Sequence, residues 1–173
     1  AQGRVNSTFS RYSRVRSMTG MTGAEAARRL LNAQGIYDVT VQQIAGELTD
    51  HYDPRTKTVN LSQSVYGATS VAAIGVAAHE CGHAMQDNEG YAPLRFRSAL
   101  VPVANFGSSL SWPLILLGLV FGGLGSPLVE IGILMFSLAV LFQLVTLPVE
   151  YNASARAVRL LDSQGILAGE EVS

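Results

Sequence analysis

Between Arg97 and Glu150 the chain carries a single ionisable side chain, Glu130, and this nearly charge-free interval limits what the protein can fold into more than any other feature. The interval divides at the turn sequence Gly122-Gly123-Leu124-Gly125-Ser126-Pro127. Two apolar segments flank it, from about Leu100 to Leu124 and from about Leu128 to Val149, and each supplies the roughly twenty residues that a bilayer crossing needs. A soluble helix of that length needs a polar face, and neither segment has one. The interval therefore reads as a transmembrane helical hairpin and not as a pair of buried core helices. Ser137, Gln143 and Thr146 are tolerable in membrane helices that pack on a neighbour, and Pro113 and Pro148 sit near the ends. Glu130, close to the far end of the hairpin, can snorkel to the interface.

All twelve Lys and Arg residues lie outside the hairpin, and none falls in its connecting loop. By the positive-inside rule, both ends of the hairpin and the residues before and after it face the cytoplasm, which predicts a multi-pass protein of the cell membrane. The lone cysteine, Cys81, agrees with a reducing compartment and reads as a small packing residue. The first sixteen residues carry Arg4, Arg11, Arg14 and Arg16 and no acid, a basic arm suited either to lipid headgroups or to solvent. With a net charge of −1 and no basic-aromatic module, no nucleic-acid partner is expected. The sequence shows neither a signal peptide nor an initiator Met, as a processed product would.

At 173 residues the chain has room for a sizeable core beside the hairpin. Thr22-Gly23-Ala24-Glu25 resembles a capping box opening a short amphipathic helix that runs through Ala33 and closes at Gly35. Val39, Val41 and Ile44 alternate as a strand. The turn Asp53-Pro54-Arg55-Thr56 then leads into a second strand, Lys57 to Ser62, whose Thr58 and Asn60 give it a polar face, as an exposed edge would have. Such an edge can hold an extended peptide by main-chain hydrogen bonds. His51, between Asp50 and Asp53, reads as part of a solvated hairpin and not as a second metal site. These elements predict an α+β domain over residues 21–98, after a basic arm at 1–20. The hairpin at 99–149 follows, and a helix at 150–173 completes the domain.

Within a small, apolar run from Val71 to Gln86 lies Ala77-Ala78-His79-Glu80-Cys81-Gly82-His83, an H-E-x-x-H frame. On a helix, residues four apart share a face, so the imidazoles of His79 and His83 can converge on one ion, and neutral imidazole suits zinc. Glu80 lies about one hundred degrees round the helix from His79, within reach of a water at an open metal position. This is the zincin arrangement for peptide hydrolysis. A buried helix with merely hydrogen-bonded histidines, or a closed structural zinc site, would leave Glu80 without a task, and a buried idle carboxylate is costly.

A catalytic zinc takes a third protein ligand. Position 89 is Glu89 and position 86 is Gln86, which disfavours the metzincin pattern. Asp87, Glu89 and Glu150 are the plausible acids. Asp87 stands one turn beyond His83, too close to curl back readily, and Glu89 lies near a loop. Glu150 opens a helical segment that reaches Gln164 before the stop at Gly165, and it emerges where the hairpin returns the chain to the cytoplasmic side. A helix-start carboxylate favoured by the dipole is the competing reading of Glu150.

Four stretches together resemble the YugP-type family of bacterial membrane zinc metallopeptidases: A-A-H-E-C-G-H-A-M-Q, the upstream L-T-D-H-Y-D-P-R-T-K-T-V-N-L-S, the linking Y-A-P-L-R-F-R-S-A-L-V-P-V-A-N, and the downstream L-P-V-E-Y-N-A-S-A-R-A. The resemblance spans Ser17 to Gly165. It extends to gluzincins of the HtpX type, whose H-E-x-x-H is followed by a distant glutamate. It implies a zincin-like catalytic domain of minigluzincin type with a small β-sheet, with zinc held by His79, His83 and Glu150 and with Glu80 as general base. HtpX-like proteins carry an aspartate four residues after the ligand glutamate, and here that place is Ser154. The resemblance also implies further membrane helices before Ala1 and after Ser173.

The expected function is that of a membrane-anchored zinc endopeptidase working on protein or peptide substrates at the cytoplasmic face, with the bilayer, membrane proteins or a second copy as partners. His51, Tyr52, Tyr151, Arg156 and Arg159 are candidate oxyanion donors. The rival readings are an inactive zincin retained as a membrane scaffold and a zinc sensor. Intact Glu80 argues against the first, and a closed donor set against the second.

Overall fold

The computed structural model describes residues 2–167, so Ala1 of the basic arm and residues 168–173 of the C-terminal segment lie outside the described residues. The order of elements is α1 (Gln2–Tyr12), α2 (Gly23–Ala33), β1 (Thr40–Ile44), β2 (His51–Asp53), β3 (Thr58–Ser62), α3 (Gln63–Tyr66), α4 (Val71–Glu89), α5 (Ala92–Phe121) and α6 (Pro127–Ser163). Among the described residues two compact units result, one formed by residues 2–90 with 151–167, the other by residues 91–150.

In the first unit, Thr22 caps α2 by accepting from the Glu25 amide, and Gly35 leaves the helix at a φ of 70°. The cap of α4 is Ser70, whose hydroxyl accepts from the Ala73 amide, and Gly90 ends that helix in the left-handed region. Val15 and Ser17 pair by backbone with Val71 and Thr69, which fastens the segment after α1 to the start of α4. Helix α1 itself buries no residue.

Helices α1, α2, α3 and α6 and the sheet all pack on α4. Its small side chains Ala77 and Ala78 are fully buried, and Cys81 donates to the Ala27 carbonyl of α2 at 3.6 Å. On another side α6 comes so close that a Cβ on Gly82 would collide with the Ala153 carbonyl, so only glycine fits there. The sheet covers a third side through β2 and β3. Leu30, Leu31, Leu61 and Ile74 fill the space between, each contributing about 1.5–3 kcal/mol by leaving water.

The sheet corrects one expectation. Its order is β1-β3-β2, with β1 parallel and β2 antiparallel to β3, so β3 is the central strand and has no open edge for a peptide. All five of its residues are buried. The alternating polar side chains face protein partners and not water: Thr58 donates to the Thr56 carbonyl, Asn60 meets His51 Nε2 at 3.3 Å, and Ser62 donates to Asp50. The open edges belong to β1 and β2.

In the second unit, α5 and the first part of α6 are long and apolar enough to cross a bilayer. Most of their surface is not buried by protein. Val120, Phe121 and Leu124 are 74%, 79% and 81% exposed, an apolar display that water would penalise heavily. A Cβ on Gly107 would stand 2.8 Å from the Met135 carbonyl, and one on Gly132 would stand 2.9 Å from the Ser111 carbonyl. These glycines let the two backbones approach as small residues do in membrane helix pairs. The second apolar segment does not stop at Val149. It continues without a break through Glu150 to Ser163 as one helix of 37 residues.

Candidate metal centre

Helical spacing puts His79 and His83 one turn apart on α4, with ring centroids 4.8 Å from each other. His83 and Glu80 are buried, and His79 is partly so. Each histidine uses Nδ1 for a hydrogen bond, His79 with Ser154 Oγ at 2.9 Å and His83 with Gln86 Oε1 at 3.0 Å. Ligand histidines ordinarily anchor their second ring nitrogen in this way, which presents Nε2 to the ion. Ser154, the residue standing where HtpX-like proteins carry aspartate, thus supports His79.

The acids of the region separate by partner. Asp87 accepts from the Tyr52 hydroxyl at 2.7 Å, and Glu89 pairs with Arg156 at 2.7 Å. Glu150 precedes Tyr151 in the unbroken α6, whose next turn packs Ala153 on Gly82, and its Oε1 accepts from Arg97 at 2.8 Å. One donor atom from each of His79, His83 and Glu150 lies within 4.8 Å of the others, the single such group of three or more metal-binding side chains among the described residues. Two imidazoles and a carboxylate form a donor set that suits zinc with a position left open.

Around His51 the residues are committed elsewhere. His51 Nδ1 lies 2.9 Å from the Thr49 carbonyl, Asp50 accepts from Ser62, and Asp53 accepts from the Arg55 amide. The sequence-based oxyanion candidates are also engaged or outward. Tyr52 binds Asp87, Arg156 binds Asn152 and Glu89, Arg159 donates to the Ala155 carbonyl, and Tyr151 is exposed. Burial, followed by the hydrogen bond to Asp87, pushes the Tyr52 phenol well above its ordinary pKa of 10.0. Burial, with the Glu80 charge second, likewise pushes the Cys81 thiol up, so Cys81 is a packing residue.

Sequence reasoning passed over Gln86, Asn152 and Arg97. Gln86 is fully buried, accepts at Oε1 from His83 Nδ1, and donates from Nε2 to Asn152 Oδ1 at 3.0 Å. A wholly buried amide beside a metal-type histidine is a signal that spacing alone could have raised, since Gln86 lies three residues after His83.

A helix presenting two histidines, with a donor atom of Glu150 within 4.8 Å of theirs, has the make-up of a metal-binding protein. The whole chain, residues 1–173, matches the family model described as "Putative neutral zinc metallopeptidase". It is also 48% identical over 171 residues to the "Putative membrane protease YugP" of Bacillus subtilis (strain 168), an alignment that covers 99% of this chain and 75% of that one. No solved structure matches. The chain belongs to this zinc metallopeptidase family.

Proposed function

We propose that the protein is a membrane-anchored zinc endopeptidase that cleaves protein or peptide substrates at the cytoplasmic face, with His79, His83 and Glu150 holding the ion and Glu80 acting as general base. The observation that carries this reading is the meeting of donor atoms from those three residues beside a buried glutamate. The printed description of the family and the name of the relative, a membrane protease, support it. When bound, zinc supplies Lewis-acid polarisation of the scissile carbonyl and makes water a nucleophile near neutral pH.

The chain's own residues do the rest. Glu80 takes the proton of the attacking water and delivers it to the leaving amine, a transfer that a carboxylate sheltered from bulk solvent performs well. Ser154 and Gln86 hold the imidazoles in place, and Arg97 holds the Glu150 carboxylate. The open edge of β2, next to α4, is the better-placed strand for a substrate backbone, because β3 is paired on both sides. The absence of Lys and Arg from the loop of the hairpin supports the cytoplasmic orientation.

The test is zinc content together with casein hydrolysis on the detergent-purified chain. Wild type should hold about one zinc and cleave, Glu80→Gln should keep the metal and lose cleavage by roughly a hundredfold or more, and Glu150→Gln should lose zinc affinity. Stoichiometric zinc without any hydrolysis would favour the scaffold, and unchanged affinity in Glu150→Gln would remove that residue from the donor set.

A further inference from the structure

We infer that Arg156 is a positioning residue that fixes the tautomer and aim of His83 through Asn152 and Gln86. The inference rests on the metal-binding reading above and concerns the part of the chain that prepares one donor for it.

The argument follows proton donors. A guanidinium has five N–H groups and no acceptor, so its partner must accept. Arg156 Nε lies 2.7 Å from Asn152 Oδ1, and that atom is therefore the carbonyl end of the amide. The same oxygen receives the Gln86 Nε2–H at 3.0 Å, which turns the carbonyl end of Gln86 toward His83. Gln86 Oε1 can only accept, so at 3.0 Å His83 Nδ1 must carry the proton. The lone pair of His83 then sits on Nε2, the atom a metal ligand of this tautomer uses.

One donor-only group thus orients two amides, each of which could otherwise be turned end for end without loss of shape. The chain of bonds is sheltered. Gln86 is fully buried, and the Arg156 side chain is 18% exposed. A salt bridge from Arg156 Nη1 to Glu89 Oε2 at 2.7 Å holds the guanidinium in position. Residues 83, 86 and 89 recur every three places on α4, while 152 and 156 are one turn apart on α6, so each helix contributes one contiguous stripe. Reversing either amide would set two carbonyls or two N–H groups face to face in a buried place, at a cost that a buried polar group without a partner always carries.

The experiment measures zinc affinity by chelator competition, and the ligand-field spectrum of the cobalt(II) form, at fixed pH on the whole chain in detergent. Asn152→Leu and Arg156→Met, which remove the acceptor and the donor, should each weaken zinc about tenfold or more and alter the cobalt spectrum. Asn152→Asp still accepts from both neighbours, and Arg156→Lys still only donates, so both should stay within about threefold of wild type. That rescue is what a merely structural role for these side chains would not produce. Wild-type affinity in Asn152→Leu and Arg156→Met overturns the inference while leaving the zinc reading intact. Loss of affinity in Asn152→Asp and Arg156→Lys equal to that in the disruptive pair also overturns it, and this comparison decides even if Asn152→Leu fails to fold. A wild-type chain that binds no zinc overturns both the inference and the reading beneath it.

Discussion

A side chain is known by what it can donate and accept, and at this scale the partly buried Tyr52 makes the sharpest case outside the donor set. Its hydroxyl donates to the Asp87 carboxylate, a charge-assisted bond worth about 1.5–3 kcal/mol when the acceptor is ionised. The folded protein keeps the phenolic proton at a pH where the unfolded chain has lost it, because the folded pKa is raised above 10.0. The stabilisation is therefore fully present below about pH 10 and declines as pH rises beyond it toward the folded value. Thermal melts of wild type and Tyr52→Phe should differ in favour of wild type at pH 8, and the gap should shrink by pH 11. A gap that widened would show that the phenol is not held as an acid. Tyr52 was visible in the sequence only as one of five candidate oxyanion donors. Its partner, 35 residues away, depends on β2 lying against α4, which no local pattern states. The histidine pair was readable because both members sit within one turn. The supports of that pair, Ser154, Asn152 and Arg156, lie more than sixty residues downstream and required the fold.

Elements carry the next level of constraint, and the contact of α4 with α6 is its tightest point. A methyl group on Gly82 would strike the Ala153 carbonyl, which is backbone and cannot rotate away. Gly82→Ala should force the helices apart and cost about 1–3 kcal/mol, read as a lower melting temperature of the metal-free chain, with weaker zinc binding beside it. A variant as stable as wild type would mean that the helices have slack at this crossing. Most elements followed from pattern and caps: the Thr22 cap of α2, the apolar run of α4 and the alternation in β1 all carry local signals. The central place of β3 did not, because Thr58, Asn60 and Ser62 alternate as a solvent-facing strand would, and only their partners reveal burial. The unity of α6 was also hidden. The change from apolar to polar residues at Glu150 looks like the start of a new helix, whereas it falls within one continuous helix.

For the whole molecule the proposed membrane hairpin would set the side on which the proposed chemistry takes place. If the lysine and arginine bias orients it, the turn between α5 and α6 lies outside the cell. A cysteine placed at Gly125 should react with a membrane-impermeant maleimide added to intact cells, whereas one placed at Glu47, in the unit that holds the histidines, should react only after lysis. The opposite pattern would reverse the orientation. Native Cys81 is 1% exposed and should stay silent in both cases. The length and apolar character of these two helices were the plainest statement in the sequence, since the interval between Arg97 and Glu150 carries one ionisable side chain.

Helix α6 contains Pro148, two residues before Glu150. A proline has no amide hydrogen, so the Leu144 carbonyl goes without its usual helical partner, and the ring crowds the turn before it. At one place along its length the rod is consequently softer than elsewhere, and Thr146, whose hydroxyl leans back on the Phe142 carbonyl, loosens the same turn. A bilayer thickens, thins and tilts whatever it holds. If the apolar part of α6 lies in lipid, a compliant joint at Pro148 would take up that motion by flexing and spare Glu150, on its far side, from being dragged with it.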